Sequence, residues 1–264
     1  MTETDFSLHS KRRPVTPRSM VLALFGAATL LTACTDPEVI LPGAREDIRS
    51  VLQSEDGSAD TFAGNFSRAI SLPAARVNAD WTQTTGSAAT RISHPALGSN
   101  LTLAWAANIG TGDSRKYRIT ADPVVAAGRI FTLDAQSIVT ATSTSGGTLW
   151  QADLRPKRDQ AGDATGGGLV VAGDTVYISI GYGVLAALDA ATGAVRWTQQ
   201  LDASGSGTPT VSGDLVYVTA GDNTGRAINR RDGTVEWQIG ASDDTNNILG
   251  APAPALTDDL AIFA

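Results

Sequence analysis

The 264 residues carry 27 acidic and 20 basic side chains, a formal charge of −7, and residues 34–264 alone carry 25 against 16. An acidic chain read as having no Lys/Arg cluster argues against nucleic acid and against peripheral binding to anionic lipid. A single cysteine excludes an intramolecular disulfide, a multi-cysteine zinc site and an iron–sulfur cluster, and 27 glycines with only 18% charged residues point to an all-β protein with many tight turns.

Residues 1–33 read as an export signal. Lys11, Arg12, Arg13 and Arg18 form a basic leader, and residues 20–31 are an uncharged apolar run of 12. That run is too short for a permanent membrane helix and fits the core of a signal peptide. It ends in Leu31-Thr32-Ala33-Cys34, which resembles the bacterial lipobox. Small side chains fit a narrow peptidase cleft, and the Cys34 thiol is the nucleophile that takes the lipid. Two or more acyl chains, at about 0.8 kcal/mol per buried CH₂, hold a protein at a membrane surface. Residues 34–66 then read as the lipidated cysteine and a flexible tether, polar and rich in Asp, Ser and Gly toward its end, with residues 45–52 compatible with a short helix.

From residue 67 onward the chain reads as a partial propeller, because a period emerges from its tryptophans. Trp105, Trp150, Trp197 and Trp237 are 45, 47 and 40 residues apart. A second phrase recurs upstream of them, an apolar run, a turn and an alternating strand. Its copies run over residues 124–131, 170–177, 210–217 and 255–262. Periods of 40 to 47 residues with about four short strands each mean four-stranded antiparallel propeller blades. The blades fall at 121–154, 167–201, 207–240 and 251–264, the last incomplete, so about three and a half are present. In the second blade, the strands are expected at residues 169–172, 175–180, 184–188 and 195–199. Apolar residues occupy both parities of its middle strands, as burial of both faces requires. Because an open ring leaves an unburied blade face, the reading expects a longer protein with further blades after residue 264.

The sharpest motif lies at the third turn. Residues 187–197, Ala-Leu-Asp-Ala-Ala-Thr-Gly-Ala-Val-Arg-Trp, fit A-x-D-x-x-T-G-x-x-x-W at every fixed position. Gly193 takes turn geometry that a Cβ would forbid. Asp189 and Thr192 can close the turn on its own amides. Trp197 offers a large flat face to the adjacent blade. Ala227, Asn229, Asp232, Gly233 and Trp237 repeat the pattern, and the copy at residues 141–150, ending in Trp150, is one residue shorter. Trp105 belongs to the same series. All of these are read as structural docking residues.

The motif closely resembles the tryptophan-docking repeat of quinoprotein-like propellers. With the lipobox and the acidic tether, it resembles in particular the BamB family of outer-membrane assembly lipoproteins, over residues 81–264. Further matching phrases are Ile109-Gly110-Thr111-Gly112, Ala121-Asp122-Pro123-Val124-Val125, Thr165-Gly166-Gly167-Gly168-Leu169 and Gly250-Ala251-Pro252-Ala253-Pro254. The resemblance implies an eight-bladed, non-enzymatic periplasmic scaffold of the outer-membrane β-barrel assembly (BAM) complex. It would bind the POTRA domains of BamA, join other BAM subunits and assist outer-membrane protein insertion. Thr35, in place of an Asp after the cysteine, implies outer-membrane sorting. The family's contact loop corresponds here to residues 246–250, Asn-Asn-Ile-Leu-Gly. Ile248 matches an apolar position, while Asn246 and Leu249 stand where an apolar residue and an Arg would be.

The rival function on the same blades is a pyrroloquinoline-quinone dehydrogenase, or another envelope scaffold. Such an enzyme needs a catalytic Asp, acidic or amide metal ligands and often paired cysteines. Here Cys34 is taken by lipid, His9 lies in the leader, His94 reads as a surface loop residue, and Asp243-Asp244 read as a solvated turn. The sequence therefore gives no catalytic, metal or cofactor residue.

Overall fold

The computed structural model describes residues 67, 69–89, 94–204, 207–241 and 251–263. Every strand among the described residues lies within Ile70–Ala264, the second of two units into which the chain divides. Three four-stranded antiparallel sheets follow one another, each a simple meander. The first contains β1 (Val124–Ala126), β2 (Arg129–Leu133), β3 (Ile138–Ser143) and β4 (Thr148–Asp153). The second contains β5 (Gly167–Ala172), β6 (Thr175–Ile180), β7 (Val184–Asp189) and β8 (Val195–Gln200). The third contains β9 (Thr210–Ser212), β10 (Leu215–Thr219), β11 (Thr224–Asn229) and β12 (Val235–Gly240). A two-stranded pair, β13 (Ala255–Leu256) and β14 (Ala261–Ile262), begins a fourth. The protein is all-β, built of propeller blades. Among the described residues the only helical element is a 3₁₀ turn at Thr84–Gly86.

The period-two geometry of a strand explains the packing. In the second blade, Leu169, Val171, Val176, Ile178, Ile180, Val184, Ala186 and Leu188 pack against Phe131, Leu133 and Val139 of the first. Their alternate neighbours Val170, Tyr177, Leu185 and Ala187 pack against Val211, Val216, Val218 and Ile228 of the third. One sheet thus separates two cores, and β6 is buried along its whole length. Each fully buried Leu, Ile or Val contributes about 1.5–3 kcal/mol of transfer free energy. The fourth strand sits at the rim, and β8 alternates between exposed and half-buried positions.

Two details differ from the sequence expectation. Strand one of the second blade starts at Gly167, because Gly167 and Gly168 let neighbouring chain come close: a Cβ on Gly168 would lie 2.5 Å from the Thr208 Cα. The other is the first hairpin, whose turn Ala127-Gly128 aligns with Gly173-Asp174 and Gly213-Asp214, so that an alanine stands where the other two turns have glycine. Ala127 takes φ 48° there, a strain the glycines of the other two turns avoid.

Candidate functional site

The third turns form a repeated joint between blades. In each blade the strand-four Trp lies opposite an alanine of strand three: Trp150 opposite Ala141, Trp197 opposite Ala187 and Trp237 opposite Ala227. A register shift follows that alanine in all three sheets. Each Trp also meets the aromatic ring of its own strand two. Phe131–Trp150 and Tyr177–Trp197 centroids are both 5.8 Å apart, and Tyr217–Trp237 are 6.0 Å apart.

Three indoles, those of Trp105, Trp150 and Trp197, also reach one blade onward. Trp105 Nε1 donates to the Thr144 carbonyl (2.8 Å), Trp150 Nε1 to Ala190 (3.2 Å) and Trp197 Nε1 to Arg230 (3.1 Å). The accepting carbonyl always follows Ser143, Asp189 or Asn229, the residue that opens the turn. The turn glycine has positive φ, 89° at Gly146, 75° at Gly193 and 80° at Gly233. It also faces the incoming indole, since a Cβ on Gly193 would lie 2.6 Å from Trp150 and one on Gly233 2.7 Å from Trp197. Turn geometry is therefore only half of the reason for glycine here; the other half is the neighbour's ring. Trp150 and Trp197 are half-buried, while Trp105 and Trp237 remain 37% and 40% exposed.

The Asp189 carboxylate closes its turn by accepting from the Ala191 and Thr192 amides and the Thr192 hydroxyl, at 3.1, 2.9 and 2.8 Å. Sequence reading missed its main partner. Arg196 donates to Asp189 Oδ2 at 2.8 Å, to both Asp174 oxygens and to Thr175 Oγ1, joining three segments of the blade. Hydrogen bonding by Arg196, then by Thr192, lowers Asp189 from 3.8 to about 2, and Arg196 also lowers Asp174. In the third blade the same two positions are Asn229 and Glu236, and the donor is now on the turn residue: Asn229 Nδ2 donates to Glu236 Oε1 at 2.9 Å. That paired exchange was the available sequence signal.

A second feature that sequence reading missed is a strap. Residues 80–88 run across the first strands of all four sheets. Trp81 exchanges two backbone hydrogen bonds with Val125 of β1 (2.7 and 2.8 Å), and Val171 of β5 donates to the Thr82 carbonyl at 2.7 Å. Val211 of β9 donates to Gln83 Oε1 at 3.4 Å, and Leu256 of β13 to the Ala88 carbonyl at 2.9 Å. The strap thus supplies acceptors to the otherwise unpaired edge of each sheet's first strand. Trp81 was the one tryptophan off the repeat period.

Cys34, His9, the Asp243-Asp244 pair and the loop residues Asn246, Ile248 and Leu249 lie outside the described residues. His94 is half-buried, its Nδ1 2.7 Å from the Pro73 carbonyl, and it ties residues 73–76 to 94–96. Among the described residues, no three of His, Cys, Asp and Glu gather as a metal-binding group, and no helix is long and apolar enough to cross a membrane. The sequence reading of a chain without a Lys/Arg cluster needs correcting. Arg115, Lys116 and Arg118 lie on the connection into β1, Arg155, Lys157 and Arg158 on that from β4 to β5, and these two connections pack together. The Arg118 amide donates to Thr165 Oγ1 at 3.0 Å, and the Thr165 hydroxyl donates back to the Arg118 carbonyl at 2.8 Å.

Residues 134–264 match the family described as outer membrane protein assembly factor BamB. No curated protein matches the chain. Among solved structures it is similar to the quinohemoprotein alcohol dehydrogenase of Comamonas testosteroni, at 24% identity and TM-score 0.51, covering 61% of this chain and 27% of that one. It is similar to the quinohemoprotein alcohol dehydrogenase ADHIIG of Pseudomonas putida HK5, at 20% identity and TM-score 0.51, covering 61% and 26%. BamB from Moraxella catarrhalis aligns at 24% identity and TM-score 0.43 over 53% of this chain and 40% of that one. The chain spans about a quarter of the length of the two dehydrogenases, and that likeness speaks for the fold alone. The matched blades and their docking turns make this chain a BamB-like, PQQ-repeat propeller protein.

Proposed function

We propose that the protein is a non-enzymatic scaffold lipoprotein of the outer-membrane β-barrel assembly complex. It is anchored through Cys34 on the periplasmic side of the outer membrane and binds the POTRA domains of BamA beside other BAM subunits. The observation that carries this reading is the match of residues 134–264 to the assembly-factor family. The packing supports it. A stack of sheets with both faces buried is rigid, and rigid scaffolds place binding residues on their connecting loops.

Residues 246–249 fall between β12 and β13 in the chain, a connection of the kind that joins one blade to the next. Asn246, Ile248 and Leu249 form the contact in this reading, with the two apolar side chains as anchors worth roughly 2 kcal/mol or more. The test is Ile248→Asp with Leu249→Asp in the full-length protein. Preserved melting temperature with lost pull-down of BamA is the expected result. A sharp fall in melting temperature makes the pair core residues, and unchanged pull-down moves the contact elsewhere. Mass spectrometry of the mature N-terminus checks the anchor: an acylated Cys34 at the first position is expected, and an intact Met1 refutes it.

The alternative reading, a quinone-dependent dehydrogenase on the same fold, is separated from this one by an activity assay. Added quinone, calcium and alcohol are expected to give no turnover.

A further inference from the structure

We infer that the basic connections beside the first two blades form a second docking surface, one for an acidic face of a protein partner. The two connections behave as one surface. The Tyr117 ring lies against Gly162, where a Cβ would meet it at 2.1 Å. Thr120 Oγ1 exchanges hydrogen bonds with Gly167 at 3.0 Å in both directions. The Tyr182 hydroxyl donates to the Gln160 carbonyl at 2.6 Å, fixing the second connection on the following hairpin. Six of the 16 basic residues of positions 34–264 sit here, including both of that stretch's lysines.

Some of these charges are engaged locally. Arg118 pairs with Asp113 at 2.9 Å and Arg155 with Asp153 at 2.7 Å. Asp163 accepts from the Gln160 amide at 2.9 Å. Lys116 Nζ stands 5.3 Å from the Tyr117 ring centroid, a cation–π distance that leaves its charge outward. Arg115, Lys157 and Arg158 are exposed and make no hydrogen bond or ion pair among the described residues. Arg115, Lys116, Lys157 and Arg158 are thus four cations without an ion pair among the described residues, beside three such carboxylates, Asp122, Asp159 and Asp163, on a chain that is otherwise strongly acidic.

The pattern fits a protein surface better than a lipid or polyphosphate one. Carboxylates are interspersed among the cations, which a uniformly anionic surface would repel. Arginine and tyrosine together are also the residues enriched at protein interfaces. Such exposed charges act mainly through steering and salt-sensitive affinity.

The choice of partner rests on the assembly reading above. The experiment titrates purified BamA POTRA domains with the full-length protein and with two charge reversals, Arg115→Glu/Lys116→Glu and Lys157→Glu/Arg158→Glu, over a range of salt. Each reversal is expected to weaken binding about tenfold at low salt and to flatten the salt dependence, with melting temperature unchanged. Wild-type binding that both reversals retain, with the same salt slope, overturns the surface and leaves the assembly reading standing. A wild type that does not bind overturns the assembly reading and this assignment with it. Reversals that release the protein from phosphatidylglycerol vesicles while BamA binding holds overturn the protein-partner assignment. Should a reversal fail to fold, Arg115→Gln/Lys116→Gln replaces it, with an expected loss of about threefold.

Discussion

The indole of Trp150 lies over the turn glycine of the next blade, Gly193, so closely that a Cβ there would fall 2.6 Å from the ring. Trp197 and Gly233 stand in the same relation one blade on. The joint couples two things that are separate in the sequence, the hand of a turn and the size of its neighbour.

Gly193→Ala is expected to destabilise the protein by about 2–3 kcal/mol, combining left-handed backbone strain with a steric clash. Gly173→Ala is the control. Its φ is 65°, but nothing lies within 4 Å of the added Cβ, so about 1 kcal/mol is expected. Urea denaturation midpoints of the full-length protein separate the two, and equal losses would remove the steric half of the argument.

Trp197→Ala is expected to cost about 3 kcal/mol, the low end for a large aromatic because the ring is half-buried. Trp197→Phe keeps most of the apolar contact and loses the hydrogen bond to the Arg230 carbonyl, for about 1 kcal/mol. A loss below roughly 1 kcal/mol for the alanine variant would mean that docking contributes little.

The Asp189–Arg196 pair gives an acid-side prediction. Asp189 is held below its ordinary 3.8, at about 2, so the folded state favours the charged carboxylate. Its contribution is fully present above about pH 4 and fades as pH falls through about 2. Arg196 stays charged throughout. The stability gap between wild type and Arg196→Met is therefore expected to narrow from pH 5 to pH 2, by a modest amount because the pair is exposed. A gap that widens on acidification contradicts the assignment.

The strap predicts a pattern of hydrogen exchange. The Val125 and Val171 amides donate to the Trp81 and Thr82 carbonyls and are expected to be protected in the native protein. Deleting residues 80–88 should speed exchange at both amides while leaving Ile178, in the middle of β6, slow. Equal acceleration at all three would mean that the segment stabilises the whole unit instead of its inner edge.

Period and parity made the blades legible in the sequence. The Trp spacing, the hairpin turns and the apolar residues on both parities of 175–180 follow from a strand's two-residue repeat and a propeller's stacking, which are local rules. The A-x-D-x-x-T-G-x-x-x-W turn was legible for the same reason, because Asp189, Thr192 and Gly193 act within a few residues of each other. What lay beyond local rules came only from tertiary structure. Gly193 serves Trp150, 43 residues away in the chain, and Arg196 serves Asp174, 22 residues away. The strap has no periodicity because it borrows its hydrogen-bond partners from four different sheets. The basic surface is split between connections 40 residues apart that meet where Tyr117 packs on Gly162 and Arg118 bonds to Thr165. A sequence determines what each short segment can form; which distant segments share a hydrogen bond, a ring face or a field of charge is decided when the sheets stack.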